Sequence, residues 1–316
     1  MTRGEVRYGT AGWSFQDWHG PFYPARRPER DEGPGALFGG RPAAAPDPDL
    51  ALVRRDPLAW YARWFDLVEV NVSFYRIPDP GVVERWCRTT ARPGGERPFL
   101  FTFKLPQAFT HERRLDPGEV AAFRACLDPV AATGRLAGLL AQFPHAYRWD
   151  AKTARHLERL AATCDQAPLV VEVRNRTWED PQALDHLRGL GLSLANIDQP
   201  PVDDSILPPA ARVTAPGLAY VRLHGRNVRA WFARDAGRDA RYDYLYSPEE
   251  LLEWGERIEL LSGMAERTLV IANNHYRGQA PANALELRRL REGPEVRVPS
   301  TLLASFPRLA RVRPAG

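Results

Sequence analysis

Lysine is almost missing from this sequence: of 43 basic residues only Lys104 and Lys152 are lysine, and the other 41 are arginine. Proline and glycine are abundant (29 and 24 residues), so the skew reads as codon bias, yet it makes each surviving lysine worth locating. Cysteine is scarce too. Cys87, Cys126 and Cys164 fall in separate predicted helices without paired spacing, which argues against a disulfide framework or a zinc ribbon. Unpaired thiols suit a reducing cytoplasm, the expected location. No stretch approaches the ~18 consecutive apolar residues of a membrane span. The opening residues run straight into a strand pattern with no apolar signal region. An excess of one charge sign is also lacking, since 43 bases face 39 acids for a net charge of +4. The densest basic runs, Arg26-Arg27-Pro28-Glu29-Arg30 and Arg288-Arg289-Leu290-Arg291, are short and interrupted. They read as solvated faces, whereas a nucleic-acid footprint needs a clustered stripe.

What is present is an ordinary globular composition, 44% hydrophobic and 26% charged. Length alone suggests about two domains of ~150 residues, but an alpha/beta barrel of ~250 counts as one. Apolar or alternating runs near residues 6–10, 67–71, 99–104, 136–142, 169–174, 192–198, 219–224 and 268–273 predict strands. Helical periodicity follows near 56–64, 80–88, 118–131, 151–163, 180–189, 247–262 and 280–292. Eight strands with intervening helices predict an α/β fold of parallel units, and eight closes a TIM barrel. A doubly wound sheet is the rival, but Gly9-Thr-Ala-Gly-Trp13 lacks its Gly-rich phosphate fingerprint. The expectation is therefore one (β/α)8 domain over 1–316, with its core at about 6–292 and an extension over 293–316. Long loops are expected after strands 1, 6 and 7: Pro/Gly/Ala/Arg-rich residues 25–50, proline-broken residues 199–217, and residues 225–246, which mix Arg with Trp231, Phe232, Tyr242, Tyr244 and Tyr246.

Alternation indicates what each strand end presents. Tyr220, Arg222 and His224 share one face, as do Glu172 with Arg174, Glu69 with Asn71, and Thr102 with Lys104. Gln142, Asn196 with Asp198, and Asn273 end three further strands. Buried ions cost several kcal/mol each unless paired, so a ring of them suggests either an ion-pair network or an active site at the barrel mouth. Lys104 is a candidate acid/base or imine-forming amine, and Glu172 with His224 a candidate acid/base pair flanking a substrate. His111 follows the third strand; His111-Glu112 lacks the second histidine of a zinc-protease helix. Asn273, Asn274 and His275 supply amides and a titratable ring. Trp13, Trp18, Tyr75 and Trp178 are candidate walls or plain core. A divalent metal on Glu172, Asp198 and His224 is the competing arrangement, opposed by Arg174 and Lys104 at the same mouth.

These residues fall into a familiar order. Gly9-Thr-Ala-Gly-Trp-Ser14, Trp18-His-Gly-Pro-Phe-Tyr-Pro24 and Val68-Glu-Val-Asn-Val-Ser-Phe-Tyr-Arg-Ile-Pro78 resemble the YecE-like family, whose domain (domain of unknown function 72) has no established activity. Thr110-His111, Leu140-Ala-Gln-Phe-Pro144, Glu172-Val-Arg-Asn175 with Trp178, Tyr220-Val-Arg-Leu-His-Gly-Arg226, and Asn273-Asn-His275 with Gly278 and Asn283 continue the resemblance in order, over about residues 6–292. The resemblance implies a TIM barrel and a residue set, not a reaction. This chain departs from the family pattern in a longer segment at 25–50, in Asn175 where His is usual, and in Ala272 where an aromatic is usual.

The leading expectation is an enzyme acting on an anionic, sugar-like small molecule without an organic cofactor. Arg76, Arg174, Arg222 and Lys104 would hold the anion, while Glu172, His224, Lys104 and His111 move protons. Trp13, Asn71, Tyr75, Gln142, Asn273, Asn274 and His275 would complete the substrate site. Two alternatives are metal-dependent phosphoester chemistry on Glu172, Asp198 and His224, and a non-catalytic scaffold whose residues 225–246 dock nucleic acid or protein.

Overall fold

The computed structural model describes residues 3–25, 47–92, 96–200, 204–206, 211–231 and 238–312. Much of the 25–50 segment, parts of 199–217 and 225–246 with Phe232, and the last residues of the extension lie outside that set. So does the side chain of Trp231. Eight strands form a closed barrel in chain order, every neighbouring pair parallel. They are β1 (Glu5–Ala11), β2 (Leu67–Val70), β3 (Leu100–Lys104), β4 (Leu136–Gln142), β5 (Leu169–Glu172), β6 (Ser193–Asp198), β7 (Leu218–Leu223) and β8 (Arg267–Ala272). The eight predicted strands are thus those of the barrel. Each of the seven predicted helices has its counterpart, from Pro57–Tyr61 to Gln279–Glu292.

Some of the prolines have a local role. Five helices (Pro48–Arg55, Pro57–Tyr61, Pro80–Thr89, Pro117–Ala131 and Pro181–Gly189) begin at an Asp-Pro pair. In each, the aspartate accepts hydrogen bonds from the first free backbone N–H groups, and the proline sits where its missing N–H costs nothing. Pro248–Met264 starts similarly, with Ser247 and Glu250 forming a capping box. Between β6 and β7 no helix occurs among the described residues, as the prolines there predict.

The strand period of two divides the side chains into layers. Val6, Tyr8, Ala219, Val221, Leu223 and Val270 face outward and pack on Leu251, Trp254 and Leu287 of the surrounding helices. The parallel register then fixes the inward set. Glu69 aligns with Thr102, Lys104 with Leu140, Gln142 with Glu172, and Arg222 with Ile197. A Cβ at Gly9 would stand 2.2 Å from the Leu67 carbonyl oxygen, so β1 closes against β2 only with glycine there. All three cysteines are buried and unpaired. No helix among the described residues is long and apolar enough to cross a membrane.

Register also overturns one expectation. Asn196 aligns with Val221 and Asp198 with Leu223, both outward-facing, so Asn196 and Asp198 point away from the lumen and Ala195 and Ile197 point in. Ala272 aligns with Leu223 and Thr10 on the same outer face. An aromatic at that position would pack against helices and would not line the mouth. Asn175 is buried and accepts from the Thr177 N–H, capping the short helix Arg176–Glu179.

Candidate functional site

The C-terminal ends of the strands open into a cavity of about 460 Å3. Its floor carries Lys104 from the end of β3, Gln142 from β4, Arg174 beyond β5, Arg222 from β7 and Asn273 beyond β8. Asn71, Val72 and Tyr75 enter from the turn after β2, and Ala11 through Phe15 from the turn after β1. Among the described lining residues there are three cationic side chains and no carboxylate.

The carboxylates lie one layer deeper, fully buried, and organise the cations above them. Arg222 donates from Nε and Nη2 to Glu69 at 3.0 and 2.7 Å, and from Nη1 to Glu172 Oε2. Arg174 Nη2 donates to Glu172 Oε1 at 3.1 Å. The Tyr220 hydroxyl gives its only proton to Glu69 Oε2 at 2.8 Å, so at the 2.9 Å contact with Thr102 the threonine is the donor. Burial drives the Glu172 carboxyl upward, but Arg222, His224 and Arg174 together outweigh it and hold the group well below the usual carboxylate range. Burial likewise opposes the Arg222 charge, and Glu172 and Glu69 more than restore it.

His224 stands beside this group, its Nε2 3.3 Å from Glu172 Oε1. Asn273 donates to Nδ1 at 2.8 Å, which places the ring proton on Nε2, facing the carboxylate. Burial pulls its pKa down to about 4, against the favourable pull of Glu172. Glu172 and His224 therefore touch each other beneath the floor and do not flank the cavity as an acid and a base. This corrects the roles expected of them: they hold Arg222, Arg174 and Asn273 in place.

Lys104 is the titratable amine that lines the cavity. Its Nζ donates to Gln142 Oε1 at 2.8 Å and sits 4.0 Å from the centre of the Phe74 ring. Burial, reinforced by Arg222, lowers its pKa to about 8. His111 meets the same Phe74 ring edge to face at 5.0 Å, and shares a 3.0 Å hydrogen bond with Thr110 Oγ1. It does not line the cavity; burial, then Lys104 and Arg174, lower its pKa.

The walls are aromatic. Trp13 and Trp86 meet edge to face at 5.1 Å; Phe15 stacks on His275 at 4.5 Å, and Tyr242 leans on the same imidazole at 4.8 Å. Of the expected site residues, Trp13, Asn71, Tyr75, Lys104, Gln142, Arg174, Arg222, Asn273 and His275 line the cavity. Others do not. Arg76 is exposed and borders a separate groove with Pro106 and Glu112, because the helical turn Val72–Tyr75 rotates it away. Asn274 is buried behind the site, donating to Tyr244 O and Asn283 Oδ1. Trp18 and Trp178 are core: Trp18 donates to the His275 carbonyl, and Trp178 stacks on Tyr147. Asp198 accepts from Arg226 Nε and Trp254 Nε1 on the helix side, so the set Glu172, Asp198 and His224 does not converge. Among the described residues no three His, Cys, Asp or Glu side chains are grouped to hold a metal ion. Sequence reasoning missed Ser14, Phe15 and Trp86 as lining residues. Glu69, read from its alternation with Asn71 as part of the inner ring, lies beneath the cavity as a partner of Arg222.

The family described as "Protein of unknown function DUF72" matches residues 48–305. The UPF0759 protein YunF of Bacillus subtilis (strain 168) is 28% identical over 246 residues, which is 73% of this chain and 84% of that protein. The crystal structure of a DUF72 family protein from Thermotoga maritima MSB8 is similar with a TM-score of 0.72 and 29% identity, covering 91% of this chain and 99% of that one. A second, from Enterococcus faecalis V583, is similar with a TM-score of 0.67 and 27% identity over 73% of this chain and 86% of that one. A closed eight-stranded parallel barrel and a family match spanning most of its length agree: the chain belongs to the DUF72 family of TIM-barrel proteins of unknown function.

Proposed function

We propose that this protein is an enzyme that binds an anionic, sugar-like small molecule, phosphorylated or carboxylated, in the barrel mouth and transforms it by proton transfer without an organic cofactor. One observation carries the reading: the described lining holds Lys104, Arg174 and Arg222 but no carboxylate, and rings from Trp13, Phe15, Trp86 and Tyr242 surround them. Guanidinium forks match phosphate and carboxylate oxygens, and aromatic faces suit the C–H surface of a sugar or a planar ring. The paired Arg222 and Arg174 are pre-positioned by Glu172 and Glu69, so binding requires little reorganisation of either side chain. Lys104 is the group whose amine can give or take a proton near neutral pH, since burial and Arg222 bring it to about 8.

A thermal-shift panel tests this. Sugar phosphates and sugar acids should raise the melting temperature of the parent, with their neutral parent sugars much weaker. The rise should vanish in Lys104→Met and Arg174→Met. A panel in which neutral sugars shift the protein as much as their phosphates, or in which both variants respond like the parent, would overturn the reading.

A further inference from the structure

The three cations of the mouth are not equivalent. Arg222 is committed to Glu69 and Glu172, and Arg174 donates to Glu172. Lys104 Nζ has a neutral hydrogen-bond partner, Gln142 Oε1, and among the described residues it makes no ion pair with a carboxylate. That amide is itself fixed, because Gln142 Nε2 donates to the Phe143 carbonyl at 2.8 Å and so turns Oε1 toward the amine. An amide oxygen favours the ammonium less than a carboxylate would, because it adds no opposite charge. Lys104 lines the cavity with its Nζ held between Gln142 Oε1 and the Phe74 ring.

Resting on the anion-site reading above, we infer that Lys104 is a carbonyl-capturing amine: it forms an imine with an aldehyde or ketone group of the anionic substrate. Guanidinium cannot do this chemistry, so an anion clamp alone would be served by a third arginine in a chain that otherwise uses 41 of them. The Nζ lone pair attacks the carbonyl carbon and forms the C–N bond. A proton leaves nitrogen as one reaches the former carbonyl oxygen, giving a carbinolamine. Loss of water then yields the C=N bond, so amine plus carbonyl becomes imine plus water with no change of oxidation state. The positive charge of a protonated imine, beside two guanidiniums, is offset by the substrate's own anion. Asn71 Oδ1, a buried acceptor in the same lining without a partner among the described residues, is available to the carbinolamine hydroxyl. An amine with a pKa of about 8 is roughly 200-fold richer in its neutral form at pH 7 than an ordinary lysine.

The presence of only two lysines makes the test sharp. The full chain is incubated with pyruvate or with dihydroxyacetone phosphate in cyanoborohydride, which reduces an imine to a stable secondary amine, and peptides are mapped by mass spectrometry. One adduct is expected on the Lys104 peptide with at least one of the two, at least ~10-fold above Lys152, while the α-amine, whose ordinary pKa is also near 8, lies on a separate peptide and serves as the reference for unassisted capture. Lys152→Arg should keep the adduct. Lys104→Arg, checked for an unchanged melting transition, should lose it. No adduct with either ketone, or labelling spread evenly over both lysines and the α-amine, would overturn the proposal. Glycerol 3-phosphate, which has no carbonyl, separates the two readings: a melting-temperature rise with it but no ketone adduct removes the imine and leaves the anion site. Equal trapping of dihydroxyacetone and its phosphate would keep the imine and remove the anion preference.

Discussion

Replacing Arg222 with methionine removes one charge from a group of three and leaves two carboxylates in the barrel lumen. Arg222, Glu69 and Glu172 are all nearly inaccessible to solvent, with side-chain exposures of 3%, 0% and 0%. Removing one partner of such a buried arrangement costs about 3–5 kcal/mol, because the remaining charges lose their compensation. For 316 residues the unfolding entropy is roughly 0.66 kcal/mol per degree, so a loss of about 4 kcal/mol lowers the melting temperature by about 6 °C. The pH dependence gives the sharper signature. In the parent, Glu172 is held below its unfolded value, so its contribution is present above about pH 4.3 and lost as pH falls through the folded value. In Arg222→Met the main opposing charge is gone and burial raises the Glu172 carboxyl, so the folded state binds more protons than the unfolded chain. The variant's deficit should then shrink on acidification from pH 7 to pH 5. Adding Glu69→Gln and Glu172→Gln should recover more than half the lost stability, since neither buried carboxylate remains. Chemical denaturation across pH 5–8 measures both. A deficit independent of pH, or a triple variant no more stable than the single one, would refute the reasoning.

Lys104→Met should raise unliganded stability at pH 7 by about 1–2 kcal/mol, because the shift from near 10.4 unfolded to near 8 folded costs about 3 kcal/mol and the lost Gln142 hydrogen bond and Phe74 contact offset part of it. The parent regains that stability as pH rises from 8 to 10.4, so the gap between the two should close over that range in denaturant melts. His224, at about 4 when folded, should make the parent lose stability as pH falls from about 6.5 to 4, because the unfolded chain binds the proton first. His224→Asn should flatten that limb, and an unchanged limb would count against the neutral buried ring. Asp198→Asn should cost about 2–3 kcal/mol through Arg226 and Trp254 while leaving ligand-induced thermal shifts intact. Loss of ligand response at preserved stability would return Asp198 to the site.

The inner ring of this barrel was legible because strands alternate strictly. Glu69, Lys104, Gln142, Glu172, Arg174, Arg222 and Asn273 all follow from period two once the strands are placed. The errors come where that rule needs an origin. On β6, Leu194, Asn196 and Asp198 form one face and Ser193, Ala195 and Ile197 the other. Which face enters the lumen is decided by pairing with β7, which a single strand cannot report. Arg76 and Asn274 each lie beyond a strand end, where a helical turn or a single step reverses the direction of the side chain. Trp86 reaches the cavity from the helix Pro80–Thr89 against Trp13, a contact between residues distant in sequence with no local signature. The division of labour between Glu172 and Lys104 was equally hidden, since it depends on how many cations each side chain meets.

The chain of contacts from Tyr220 and Arg222 to Glu69 and Glu172 bears on the order of assembly. It ties β7 to β2 and β5 across sequence separations of 151, 153 and 50 residues. A nascent barrel ending at β6 would have Glu69 and Glu172 directed into its lumen with Arg174 to meet Glu172, before Arg222, which pairs with both, has arrived. Such a fragment has either to keep its lumen wet or to protonate its acids, so a half-barrel gains little by closing early. Charge neutralisation waits for the seventh strand and closure for the eighth, which pairs with the first, so the N-terminal fragment of this barrel is predisposed to wait for the rest of the chain.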